Sequence, residues 1–149
     1  MTIAVIDDHL LHDSLTGKRT EEFASLGFDR LATTGLWLFR LCSAFASPVV
    51  AGKLSAPVTA LGPALQHRFR EKLTVVPARI EIVPLRDIAW SMAALQRKHR
   101  DYGRNLSAAM LEALGAAHHL SAAIVVSKHD IGPNLQVAAE ADGIRFLVL

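Results

Sequence analysis

The sequence is short of the groups on which several common chemistries depend. It has one cysteine, Cys42, in 149 residues. A single thiol excludes an intrachain disulfide and offers zinc no cysteine partners. Cys42 therefore reads as a small buried apolar residue, and the expected setting is a reducing cytoplasm. There is no CxxC pair, no glycine-rich phosphate loop and no GxSxG elbow, so covalent nucleophilic catalysis has little support. No uninterrupted apolar run reaches 18 residues, and acids appear by position seven instead of a basic stretch leading into an apolar one. Neither a membrane-spanning helix nor a signal peptide is expected. Internal repeats, low-complexity tracts and an interdomain linker are missing too.

What is present is a chain with 51% hydrophobic and 20% charged residues, enough for one globular domain over residues 1–149 with a real core. The net charge is only +2, but it is unevenly spread. Arg68, Arg70 and Lys72 cluster, as do Arg97, Lys98, Arg100 and Arg104. Each group suits either a solvated helix face or a polyanionic partner.

Four stretches read as strands: 3–6, 78–83, 122–126 and 144–149. The first and third are short continuous apolar runs of the kind buried in parallel sheets. Between them, helical patterning covers 7–15, 20–26, 35–45, 58–73, 87–102, 106–120 and 134–141, with residues 49–57 as a loop. Thr33-Thr34 and Asp87 read as N-caps, and Gly62-Pro63 as a kink or a true helix start. The alternation predicts an α/β fold, a parallel sheet of about four strands with helices on both faces.

Ligands in such sheets bind at the carboxyl ends of strands. Asp7 and Asp8 follow the first strand, Asp130 follows the third, and Glu112 lies on an alanine-rich helix. Together these acids suit Mg²⁺ or Mn²⁺, which take oxygen ligands and few carboxylates. Each has a plainer role: Asp7 as a helix cap, Glu112 as a partner of Arg40 or Arg104, and Asp130 as a turn cap. Arg40 is the one charge on the apolar helix 35–45 and must be paired if buried. Of seven histidines, His118 and His119 point to different helix faces. His9 and His12 could share a metal but lack an evident third ligand. His129 suits a phosphate contact or an exposed position.

AVIDDHLL resembles the opening strand and acid of PIN domains, the fold of VapC-type toxin ribonucleases. IVVSKHD resembles their later strand and acid, and Glu112-Ala113-Leu114 their Asp-Ala-Leu, with Glu for the usual Asp. TTGLWLFRLCSA is similar to their second acid-bearing helix, but Arg40 holds the acid's place. The resemblance implies a PIN-like three-layer sandwich and an Mg²⁺- or Mn²⁺-dependent endoribonuclease. Its metal ligands would be Asp7, Glu112 and Asp130, with Asp8 as an outer acid. Arg97, Lys98, Arg100 and Arg104 would contact RNA. It also implies homodimers and a small antitoxin partner. The departure at Arg40 implies an alternative: a catalytically silent module that binds RNA or a protein, its metal site filled by Arg40. A small-molecule-binding α/β domain is the third reading.

Overall fold

A computed structural model describes residues 1–47 and 54–149; most of the expected loop at 49–57 lies outside them. Among the described residues there are five strands: β1 (Ile3–Ile6), β2 (Arg30–Thr34), β3 (Ile80–Val83), β4 (Ala123–Val126) and β5 (Phe146–Val148). They form one parallel sheet in the order β3-β2-β1-β4-β5. The helices are α1 (Asp8–Leu15), α2 (Thr20–Ser25), α3 (Gly35–Ala46), α4 (Ser55–Thr59), α5 (Pro63–Thr74), α6 (Leu85–Asp101), α7 (Ala108–Leu120) and α8 (Pro133–Ala141).

The expected α/β class is the one observed. The strand beyond the expected four is β2, whose sequence predicts only the helix cap at its end. Arg30-Leu-Ala-Thr-Thr34 is weakly apolar, but its threonines favour extended backbone. The Thr33 hydroxyl donates to Ile6 O on β1 at 2.9 Å. Thr34 ends the strand and caps α3, its hydroxyl accepting from Trp37 N at 3.2 Å. One expected cap moves. Pro84, not Asp87, precedes α6, and Asp87 lies in the first turn, where a negative charge complements the helix dipole. Gly62-Pro63 is a true start, separating α4 from α5.

Side chains alternate across the sheet. Ala4, Ile6, Ala123 and Val125 join Leu10, Leu11, Leu41, Phe45 and Phe69 on the face covered by α1 to α5. Val5, Ile124 and Val126 join Ile88, Leu114 and Leu135 on the face covered by α6 to α8. The chain winds one way over the first face and the other way over the second, which keeps each crossover right-handed. Cys42 is only half-buried, packed at the edge of the first core. The apolar helix α3 is not buried all round, since Phe39 and Arg40 are exposed.

Helices α6 and α7 meet closely because Gly115 has no side chain. A Cβ there would lie 3.0 Å from Met92 Cγ and 3.5 Å from Ile88 Cβ. Gly115→Leu is expected to lower stability by about 2 kcal/mol through overpacking, measured by urea unfolding. No helix among the described residues is long and apolar enough to cross a membrane.

Candidate functional site

The strand order reverses between β1 and β4, and the crevice at their carboxyl ends is the switch point of the sheet. Asp7 sits in it, buried. One carboxylate oxygen accepts from Leu10 N at 2.9 Å and caps α1; the other accepts from Ser127 N at 2.8 Å, just past β4. The plainer reading of Asp7 as a cap is therefore correct, and the cap also ties the two strands together. Burial pushes the Asp7 carboxyl up to about 7; the two backbone N–H groups oppose this, and Asp8 and Asp130 add to it.

Arg40 reaches across from α3. Its Nε lies 2.9 Å from Asp8 Oδ2, and an Nη donates to Asp130 Oδ2 at 2.9 Å. The Asp8 side chain is 1% exposed and Arg40 45% exposed, so the guanidinium lies over the acid as a half-exposed cover. Among the described residues Asp8 Oδ2 makes no aligned hydrogen bond, so its contact with Nε is Coulombic. The remaining oxygen, Oδ1, accepts from His9 N. Burial raises the Asp8 carboxyl to about 6, against the pull of Arg40. Burial disfavours the Arg40 charge, but Asp8 and Asp130 outweigh it and the guanidinium pKa is raised. The space that Asp7, Asp8, Arg40 and Asp130 share with Trp37 and Met110 is about 70 Å³.

Arg40 thus bridges Asp8 and Asp130, not Asp7 or Glu112. Glu112 is 2% exposed, and its Oε2 accepts from Leu36 N at 2.8 Å. A carboxylate there satisfies an orphan amide at the positive end of α3. Gly35 makes the approach possible, since a Cβ at that position would stand 3.3 Å from Glu112 Oε1. Asp130 does not cap α8, which begins after Gly132 without a side-chain cap.

The residues present do not fit a divalent ion in this arrangement. Asp7 gives both oxygens to backbone amides, Glu112 gives one to Leu36, and Arg40 occupies Asp8 and Asp130. Among the described residues no group of three or more His, Cys, Asp or Glu side chains is placed to hold a metal.

The basic residues of α6, and Arg104 just past its end, lie elsewhere. The helix leaves the carboxyl end of β3 and runs back for 17 residues, about 25 Å. Arg97, Lys98, Arg100 and Arg104 therefore approach the opposite edge of the sheet. Two of them are committed there. Lys98, His99 and His118 all contact the Asp142 carboxylate, and Arg104 contacts His99 Nδ1 at 3.1 Å. Arginine only donates, so His99 Nδ1 accepts, and its Nε2–H donates to Asp142 at 3.1 Å. Sequence reasoning missed Asp142 because its partners lie 24 to 44 positions away. It missed the Ser127 amide because a backbone donor leaves no mark on residue type.

Compared with protein-family models and with curated proteins, the sequence finds no match.

Proposed function

We propose that the chain is a PIN-like module of VapC type that binds single-stranded RNA and does not cleave it while Arg40 holds Asp8 and Asp130. The observation that carries this reading is the Arg40 bridge itself, which puts a fixed positive charge where a nuclease needs a metal ion. The choice of RNA is supported by the outer face of α6. Trp90 is 87% exposed and Tyr102 70% exposed. With Arg97, and with Lys98 as the cation held by Asp142, they line an open groove of about 620 Å³. Aromatic rings interleaved with cations form a stacking platform for unpaired bases, each stack contributing about 1–3 kcal/mol.

Fluorescence anisotropy with a labelled single-stranded RNA tests the reading. The native chain is expected to bind with an affinity that falls as salt rises. Trp90→Ala is expected to weaken binding about tenfold, and millimolar Mn²⁺ is expected to produce no cleavage. Cleavage by the native chain, lost in Asp7→Asn, would overturn it. That outcome belongs to the second reading, a metal-dependent endoribonuclease in which Arg40 swings away. In its favour, Asp7, Asp8 and Asp130 do converge, and the mutual repulsion that helps raise the Asp7 and Asp8 carboxyls is what a divalent ion relieves.

A further inference from the structure

We infer that a second cavity at the switch point, beside the Arg40 bridge, is a pocket for one unpaired base of the RNA. This rests on the RNA-binding reading above. Each acid held by Arg40 has a histidine next to it in sequence, His9 after Asp8 and His129 before Asp130. These two histidines, with His12, Asp13, Arg19 and Ser127, line a cavity of about 370 Å³. His9 and His12 are 8% and 3% exposed. Among the described residues, the Nε2 atom of each is buried without a hydrogen-bond partner. Unpartnered polar atoms in an interior are costly; these two are sealed beside one cavity, and a ligand that draws the rings toward it would partner them.

The chemistry of the walls selects the ligand. Arg19 is engaged by Asp13 at 2.7 Å and Glu22 at 2.8 Å, so it offers no free charge to a phosphate. Asp13 is held as a carboxylate at about 2, the hydrogen bonds from His12 and Arg19 overcoming the effect of burial. An anion is therefore unwelcome, and burial also disfavours a charge on His9. Asp13 Oδ1 lies 3.6 Å from His12 Nδ1, which favours the ring hydrogen on that nitrogen. In the neutral ring Nε2 is then an acceptor for a ligand N–H. His12 is itself clamped in a stack with Phe45 and Phe69. The His9 and His129 rings, 5.9 Å apart and tilted 32° from parallel, put aromatic surface in the wall, and unpaired bases stack on histidine. The volume is far too large for a lone metal ion and sits at the small end of organic-ligand pockets, roughly 300–1,000 Å³. A neutral planar heterocycle with N–H and C=O edges fits these demands; a nucleoside is the probe.

Adenosine, guanosine, cytidine and uridine titrated into the full chain, followed by calorimetry and by the histidine ring signals in NMR, test the pocket. At least one nucleoside is expected to bind saturably. It is expected to move the His9, His12 and His129 signals and leave His99 and His118 in place. His9→Phe keeps a ring but removes both nitrogens and is expected to abolish binding. His129→Ala, at an exposed position, is expected to weaken it about tenfold while leaving the thermal midpoint unchanged. Nucleosides that leave the three signals unmoved overturn the proposal, and so does movement by Zn²⁺ with none by any nucleoside. RNA binding without nucleoside binding defeats the pocket alone; nucleoside binding without RNA binding defeats the RNA reading alone.

Discussion

Arg40→Ala is expected to destabilise the chain by about 3 kcal/mol near neutral pH, because it leaves the buried Asp8 carboxylate without its counter-charge. The sign with pH follows from the Asp8 carboxyl, raised from 3.8 to about 6. A raised carboxyl binds its proton more tightly in the folded chain, so its contribution to stability falls as pH rises from 3.8 through about 6. Without Arg40 the folded value moves higher still. The deficit of the variant is then greatest above neutrality and closes in acid, where Asp8 is protonated whether or not Arg40 is there. Urea unfolding of native and variant chains across this range measures it. A deficit that ignores pH would mean that Arg40 stabilises by packing alone. Calorimetry with Mn²⁺ gives the functional half. The native chain is expected to show no binding, and the variant is expected to bind and regain stability by mass action.

The second large effect is expected at Asp142, whose side chain is 0% exposed. Asp142→Ala removes the acceptor shared by Lys98, His99 and His118, leaving the fully buried His99 with an unmet N–H beside Arg104. A loss of about 3 kcal/mol is expected at neutral pH. In the native chain, burial alone would raise the Asp142 carboxyl, but the hydrogen bonds from Lys98, His118 and His99 prevail and hold it at about 2. A depressed carboxyl contributes stability that is present above its ordinary value of 3.8 and lost as pH falls through about 2. The acid limb of the stability curve is therefore expected to flatten in Asp142→Ala. An acid limb of unchanged slope would show that Asp142 is not the group responsible.

Four of the five described strands were legible, the buried central pair and the partly buried edge strands β3 and β5. Ile3–Ile6 and Ala123–Val126 lie in the centre of the sheet and are apolar throughout, so sequence alone marks them. β2 was not, because two of its five residues are threonine and its first residue is exposed; the Thr33 bond to Ile6 exists only after the strands pair. The convergence of Asp7, Asp8 and Asp130 was legible because the strand ends fix it. The partners of Arg40 were not. They depend on the rotation of α3, set by Trp37 entering one core while Leu41 and Phe45 enter the other. That rotation turns Arg40 toward Asp8 and Asp130 and leaves Glu112 to the amide of Leu36. The histidine cavity was half legible. His9 and His12 share a helix face by spacing, but the third ring comes from a loop 120 positions beyond His9.

The bond from the Ser127 amide to Asp7 also spans 120 positions, and this bears on how the chain is made. During synthesis β1, β2 and β3 can pair as soon as they emerge. β1, destined for the middle of the sheet, then presents an open edge until Ala123–Val126 arrives. An apolar open edge invites pairing with another nascent chain. Until then the growing polypeptide carries that exposed edge, and the carboxylate that later locks the seam stands at its end. Closure by β4 is a late, long-range event, the kind that slows folding.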